Sequence, residues 1–389
     1  MLEKIFLKLT ACFLSIILMI GFLSINSNAT RADDESNGMK FNCKSALLME
    51  AETGKILFEQ NADEALHPAS VTKIMTLLLV MEAIDSGKIN YDDMVTASAY
   101  ACSMGGSQIY LKEGEQMSVE ELLKSVVIAS ANDAAVALAE YVLGTEETFV
   151  ARMNERAKEL GMTSTNFENT NGLDDTATNH LTSARDIALM SQELIKHKKI
   201  IEFSSIWMDT IRDGAFGLTN TNRLVRFYKG ATGLKTGSTS KAGFCISATA
   251  TREDMSLICV IMGAESRDIR NAAAVSLLDW GFANFSIYKD EPKKLQKIKV
   301  TRGVKSECEI ITSGFSSIMN KSNIGNMEIK TELPETLEAP LKKGSVVGKI
   351  KYTQNGNFVG EAQILANENI EKIDFFGVFK KLIVKMSLL

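Results

Sequence analysis

The spacing of apolar and polar positions changes along this chain, and the changes mark its elements. Between residues 45 and 60, two short apolar runs, Ala46-Leu47-Leu48-Met49 and Ile56-Leu57-Phe58, flank Glu52-Thr53-Gly54, which predicts a β-hairpin. From about 70 to 84 the apolar positions are almost continuous and Gly87 follows, which predicts a buried helix that stops there. Residues 118–143 also read as helical, interrupted by Ser130-Ala131-Asn132. A second hairpin is predicted for residues 245–250 and 257–262, turning at Arg252-Glu253-Asp254, with a helix over about 268–285 after it. Strands at both ends of this region, with helices between them, predict one sheet assembled from distant segments.

Beyond Asp290 the period shortens to two. Residues 296–300 and 345–352 alternate as strands do, and Asn355-Gly356 between residues 349–354 and 357–365 is a strong type I′ hairpin signal. This predicts a small all-β domain ending near Ala366. Within residues 370–389, Ile373, Phe376, Phe379, Ile383 and Met386 recur at steps of three and four, the spacing of one helical face. Lys381 and Lys385 fall on the other face, with Lys380 at the border. The segment is too charged to span a bilayer and suits its surface; the competing expectation is a terminal helix packed on its own domain. At the other end, Lys4 and Lys8 precede an uncharged apolar run over residues 12–23, followed by Ser27-Asn28-Ala29. This is the pattern of a secretory signal peptide, and the alternative, an uncleaved anchor, also places the body outside the cytoplasm. The expected organisation is a signal peptide over 1–29, a polar linker over 30–42, a catalytic domain over 43–288, the β-domain over 289–366 and a membrane-anchoring amphipathic helix over 367–389.

Composition narrows the function classes. A net charge of −5 over 389 residues gives no electrostatic footprint for nucleic acid. Five cysteines follow Cys12, an odd number without a C-x-x-C spacing, and the three histidines His67, His180 and His197 form no metal-binding pattern. Neither a metal nor a cofactor is expected.

The chemistry is carried by three short motifs in order: Ser70-Val71-Thr72-Lys73, Ser130-Ala131-Asn132 and Lys235-Thr236-Gly237. A serine hydroxyl attacks an amide only if a base takes its proton. Ser70 and Lys73 are three apart on a predicted helix and share one face. A lysine serves as base only when desolvation or a second cation keeps it neutral part of the time, and Lys235 is a candidate for that cation. Ser130 is suited to relaying a proton between Lys73 and a leaving amine, and Asn132 to pairing with a substrate amide. Ser and Asn disfavour helix interiors, so their place in an alanine-rich helix points to function. Lys235 and Thr236 offer a charge and a hydroxyl to an anionic substrate end, and Gly237 lets substrate backbone approach, as strand addition requires. The backbone N–H groups of Ser70 and Ser238 are the expected oxyanion hole.

The three motifs are those of penicillin-binding proteins and class A β-lactamases. Further segments sharpen the match: Ser45-Ala46-Leu47-Leu48 with Thr53-Gly54-Lys55, Pro68-Ala69-Ser70, Asn171-Gly172-Leu173-Asp174, Ala184-Arg185-Asp186, Gly233-Leu234-Lys235 and Trp280-Gly281-Phe282. With these the chain resembles the low-molecular-weight penicillin-binding proteins, the serine-type D-alanyl-D-alanine carboxypeptidases of peptidase family S11. The resemblance implies an α+β fold: a penicillin-binding protein/β-lactamase-like catalytic domain, with an antiparallel sheet, helices and a helical subdomain, followed by the small all-β domain. It implies that Ser70 attacks the penultimate D-alanine carbonyl of a peptidoglycan stem peptide ending in D-Ala-D-Ala, with Lys73 as base and Ser130 as relay, and that β-lactam antibiotics acylate the same serine. Asn132, Lys235, Thr236, Gly237 and Ser238 would bind substrate. Arg270 stands in the family position of an arginine that helps bind the terminal carboxylate, and Arg223 is a further candidate for that pocket. The expected location is the outer face of a bacterial cytoplasmic membrane.

Three positions depart from the relatives. Ser238 stands where some carry His, Ala131 stands where lactamases usually carry Asp, and no Glu-x-x-Leu-Asn segment follows Ser130. The last weakens a β-lactamase reading, because that Glu activates the deacylating water. A non-catalytic cell-wall binding protein is the other alternative, and the intact motifs oppose it.

Overall fold

The structure is a computed structural model that describes residues 38–174 and 177–386. The expected signal peptide, and the linker up to residue 37, lie outside the described residues.

The first predicted hairpin forms as β1 (Ser45–Glu50) and β2 (Ile56–Gln60). The Glu50 carboxylate accepts from the N–H groups of Glu52 and Thr53 at 3.0 and 2.7 Å, which ties down the turn. Three later strands are β3 (Ala231–Thr239), β4 (Gly243–Arg252) and β5 (Met255–Ala264). All five make one antiparallel sheet in the order β2-β1-β5-β4-β3. Ala46 thus lies opposite Ile261, and the distant segments close as the sequence predicts. β3, which carries Lys235-Thr236-Gly237, is an edge strand.

Four helices build the body around this sheet: α1 (Lys73–Asp85), α2 (Asn132–Leu143), α3 (Ala184–Leu194) and α4 (Arg267–Asn284). Every residue of β1 is buried, because successive side chains point to opposite faces and both faces are covered. Leu48 meets Gly281 of α4, and Leu47 and Met49 join the main core with Ile74, Leu78 and Ile187. α1 is apolar nearly all round because it packs against both α2 and α3. Side-chain caps fix the starts of two of these helices: Ser183 accepts from Asp186 N–H and Ser266 from Ile269 N–H, each worth about 1 kcal/mol.

Two local irregularities place chemistry. The helix expected from Ser70 begins as a tight 3₁₀ turn, Ala69–Thr72, before α1, and Ala69 has a φ of +49°. The helix Val119–Lys124 widens over Ser125–Ala129, with Ser130 N–H donating to Ser125 O. Ser130 itself turns left-handed at φ +65°, and α2 starts at Asn132. The interruption predicted from Ser130-Ala131-Asn132 is therefore real.

Phe285–Asp290 continues directly from α4 as a strand paired with Phe315–Asn320, so strand pairing in the β-rich part starts at Phe285 and not at 289. There Val346–Gln354 and Asn357–Ala366 form the predicted hairpin, with Asn355 at φ +49° and Gly356 at +77°, the two positive values a type I′ turn requires. A second core gathers Ile298, Ile310, Ile350, Tyr352 and Ile364, with Phe315 stacked on Tyr352 at 4.1 Å. The terminal helix α5 (Phe375–Met386) begins later than 367 or 370. Ile370 is fully buried in the second core and bridged to Leu341, and Ile373 N–H donates to Arg302 O, so these residues belong to the β-rich part.

Candidate active site

An open cleft of about 670 Å³ runs along β3, opposite the Ala69–Thr72 turn and Ser130. Ser70, Ser130, Thr236, Gly237, Ser238, Arg223 and Arg270 line it. Lys73, Asn132 and Lys235 lie buried behind the serines.

Lys73 is completely buried, and its Nζ has three partners: Ser70 Oγ at 3.0 Å, Asn132 Oδ1 at 2.5 Å and the backbone O of Asn171 at 2.6 Å. Burial, and then the charge of Lys235, push its pKa well below the ordinary lysine value, while Asp133 acts the other way. All three partners can accept from the amine, and Ser70 Oγ is the one of the three that also carries a proton it can give up to a neutral Nζ.

Lys235 Nζ donates to Ser130 Oγ at 2.8 Å and to Thr236 O at 2.9 Å. Burial and then Arg270 lower its pKa to about 7. The Thr236 hydroxyl donates to Thr221 Oγ1 at 2.8 Å. Gly237 is a site of forced contact, since a Cβ there would lie 2.8 Å from Ser70 N, so only glycine lets β3 run against the nucleophile turn. Arg270 is buried and anchored, donating to Cys245 O at 3.3 Å and to Asn271 Oδ1 at 2.8 and 3.1 Å. Among the described residues, those lining the cleft include three arginines, Arg223, Arg267 and Arg270, and no Asp or Glu. That field suits an anionic ligand.

Known proteins of one family match this chain over most of its length. The family model described as D-alanyl-D-alanine carboxypeptidase, peptidase S11, matches residues 29–266, and that of the penicillin-binding protein 5 C-terminal domain matches residues 282–372. The chain belongs to the S11 family of D-alanyl-D-alanine carboxypeptidases. It is 40% identical over 376 residues to the D-alanyl-D-alanine carboxypeptidase DacF of Bacillus subtilis, covering 94% of this chain and 96% of that one. Among solved structures it resembles penicillin-binding protein 5 of Haemophilus influenzae, with a TM-score of 0.74 and 32% identity, over 86% of this chain and 99% of that one. It also resembles penicillin-binding protein D2 of Listeria monocytogenes in its ampicillin-bound form, with a TM-score of 0.58 and 32% identity, over 63% and 98% of the two chains. The S11 fold expected from the motifs, a sheet-and-helix catalytic part followed by an all-β part, is the one observed.

The structure brings together in this S11 carboxypeptidase every candidate catalytic and substrate-binding residue named from the sequence. It adds others that the motifs did not name. Asn171 contributes only its carbonyl to Lys73, so its side chain gave no signal, although Asn171-Gly172-Leu173-Asp174 stood out as a family segment. The Asp133 carboxylate accepts from the N–H groups of Ile109 and Leu111 at 3.1 Å each, and Asn132 Nδ2 donates to Gly105 O at 2.7 Å. Together they pin the 105–111 loop at the rim. Asn222 Nδ2 donates to Gly233 O at 2.7 Å and holds the start of β3. Among the described residues no group of three or more His, Cys, Asp or Glu gathers. The five cysteines in the described region are free thiols.

Proposed function

We propose that Ser70 is the nucleophile through which this chain removes D-alanine, and that Lys73 is its base. As a member of S11 the chain is a serine-type D-Ala-D-Ala carboxypeptidase, a hydrolase and penicillin-binding protein of cell-wall metabolism. The observation that carries the residue assignment is the buried Lys73 amine, hydrogen-bonded to Ser70 Oγ at 3.0 Å.

Attack transfers the Ser70 proton to Lys73 Nζ as the Oγ–C bond forms at the penultimate D-alanine carbonyl. The N–H groups of Ser70 and Ser238 take the oxyanion. Ser130, its Oγ fixed by Lys235, gives its proton to the leaving amine and takes back the one held by Lys73, which is neutral again, and D-alanine departs with its carboxylate held by Thr236, Lys235 and Arg270. Asn132 holds both the Lys73 amine and the substrate amide. Water then hydrolyses the acyl-serine. The peptide extends along the β3 edge at Gly237, in the manner of an added strand.

The test is incubation of the protein with labelled penicillin and, separately, with a peptide ending in D-Ala-D-Ala. Release of D-alanine and a long-lived penicillin adduct on Ser70 are expected. Rapid penicillin turnover without D-alanine release would replace this reading with a β-lactamase.

The part from about 43 to 288 carries this chemistry, and the β-rich part lies between it and α5. Among the described residues no helix is long and apolar enough to cross a membrane. On α5 the side chains of Phe375, Phe376, Phe379, Ile383 and Met386 are 78, 78, 57, 52 and 75% exposed, which supports surface attachment to the outer face of the cytoplasmic membrane. Replacing Phe376 and Phe379 by Asp is expected to lower binding of the full chain to anionic lipid vesicles by about tenfold or more. Unchanged co-sedimentation with vesicles would remove the anchor.

A further inference from the structure

We propose that His180 and Thr72 are positioning residues of the oxyanion site: they hold the Ala69 carbonyl, and through the rigid Ala69–Ser70 peptide group they aim the Ser70 N–H into the cleft. The proposal rests on Ser70 being the nucleophile and deepens that reading.

Three hydrogen bonds, the two at Thr72 fully buried, run in one direction only. Glu168 N–H lies 3.0 Å from His180 Nδ1. A backbone N–H only donates, so Nδ1 is the acceptor nitrogen and the ring proton sits on Nε2. Nε2 lies 2.8 Å from Thr72 Oγ1 and therefore donates to it. The Thr72 hydroxyl proton is left for the Ala69 carbonyl, also at 2.8 Å. Burial lowers the His180 pKa to about 4, against the pull of Glu168, so the neutral tautomer persists at neutral pH. Ala69, Thr72 and His180 are at most 2% exposed, so water does not compete for the two bonds at Thr72.

The Ala69 carbonyl and the Ser70 N–H belong to one planar trans peptide, in which they point in opposite directions. Fixing the carbonyl fixes the N–H. Ala69 needs such a hold, because φ +49° is unfavourable for a residue with a Cβ by about 1 kcal/mol. Gly172 walls the carbonyl in: a Cβ there would lie 1.9 Å from Ala69 O and 2.8 Å from Thr72 Oγ1. On the opposite side Ser70 N looks onto Gly237, next to Ser238, the partner donor of the proposed hole. Phe167 packs edge-on to the His180 ring at 5.7 Å and fixes its plane.

The decisive comparison is Thr72→Val, which keeps the shape and loses the hydroxyl, against Thr72→Ser, which keeps the hydroxyl. Both are read beside the wild type for kcat and KM of D-alanine release, and for affinity toward a boronic acid analogue that forms a tetrahedral adduct on the serine. Thr72→Val is expected to lower kcat by about tenfold to a hundredfold with KM within about twofold, since the hole acts on the transition state. Affinity for the boronic acid should fall in step with kcat, and Thr72→Ser should restore both. Should Thr72→Val not fold, His180→Gln, which retains an N–H donor, compared with His180→Phe, which does not, is read the same way. An active wild type with kcat unchanged in Thr72→Val overturns the proposal alone. So does an equal loss in Thr72→Ser, or a loss confined to KM. A wild type that neither releases D-alanine nor takes up penicillin overturns the function reading and this proposal together.

Discussion

Ser70→Ala is expected to release no D-alanine above background and to form no penicillin adduct, a loss on the order of 10⁴-fold or more. The fold should survive. Removing Oγ takes one of three partners from Lys73, and the two acceptors Asn132 Oδ1 and Asn171 O remain at 2.5 and 2.6 Å. A stability change within about 1 kcal/mol is expected, because neither a packed apolar group nor an obligate buried partner is lost. Intact-protein mass after exposure to penicillin reads the first claim, and thermal unfolding reads the second. A penicillin adduct on the variant would move the nucleophile elsewhere. Ser130 is the residue to examine in that event, since its Oγ also lines the cleft and receives a lysine amine.

Much of this was legible because the chemistry sits in side chains at characteristic spacings. Ser70 and Lys73 share a helical face wherever a helix forms, and a polar Ser-x-Asn inside an alanine-rich helix contradicts its surroundings strongly enough to predict both a break and a role. The hairpins were legible from turn residues. What the sequence hid is backbone chemistry and tertiary competition. The Asn171 carbonyl that takes the second Lys73 hydrogen is indistinguishable in sequence from any other carbonyl. The positive φ of Ala69 occurs where Gly172, Thr72 and His180 pack around its carbonyl, residues that come together only in the fold. Ile370 sits close to a helical repeat with Ile373 and Phe376, yet the second core takes Ile370 and its bridge to Leu341, and so delays the helix to Phe375. Periodicity names a face but not the element that competes for its first residue.

Lys73→Met should separate the base from the rest of the machinery. Met is close in length and apolar, so it fills the same buried space. With Ser70, Ser130 and Lys235 unchanged, acylation by penicillin and D-alanine release should both fall by about 10²- to 10⁴-fold, the range of a lost general base. The wild-type pH profile of kcat/KM should have an acid limb where Lys73 takes up its proton, and an alkaline limb where Lys235, with its pKa lowered to about 7 in the free enzyme, loses the charge that orients Ser130 and meets the substrate carboxylate. The variant should lose the acid limb and keep the alkaline one. Stability gives an independent reading with the opposite sense from an ion pair. A lysine whose pKa is lower in the folded protein binds fewer protons there than in the unfolded chain. Wild-type stability therefore rises with pH from the folded pKa up to the ordinary lysine value of 10.5. Lys73→Met removes that contribution, so the wild type should gain on the variant as pH rises from 6 towards 10, as measured by chemical denaturation at each pH. At low pH the variant has the advantage of no lysine to deprotonate, set against about 1–3 kcal/mol for each of the acceptors Asn132 Oδ1 and Asn171 O left without its donor. A stability difference that does not change with pH would mean that Lys73 keeps its proton in the folded protein, and the base would then have to be sought in another group within reach of Ser70.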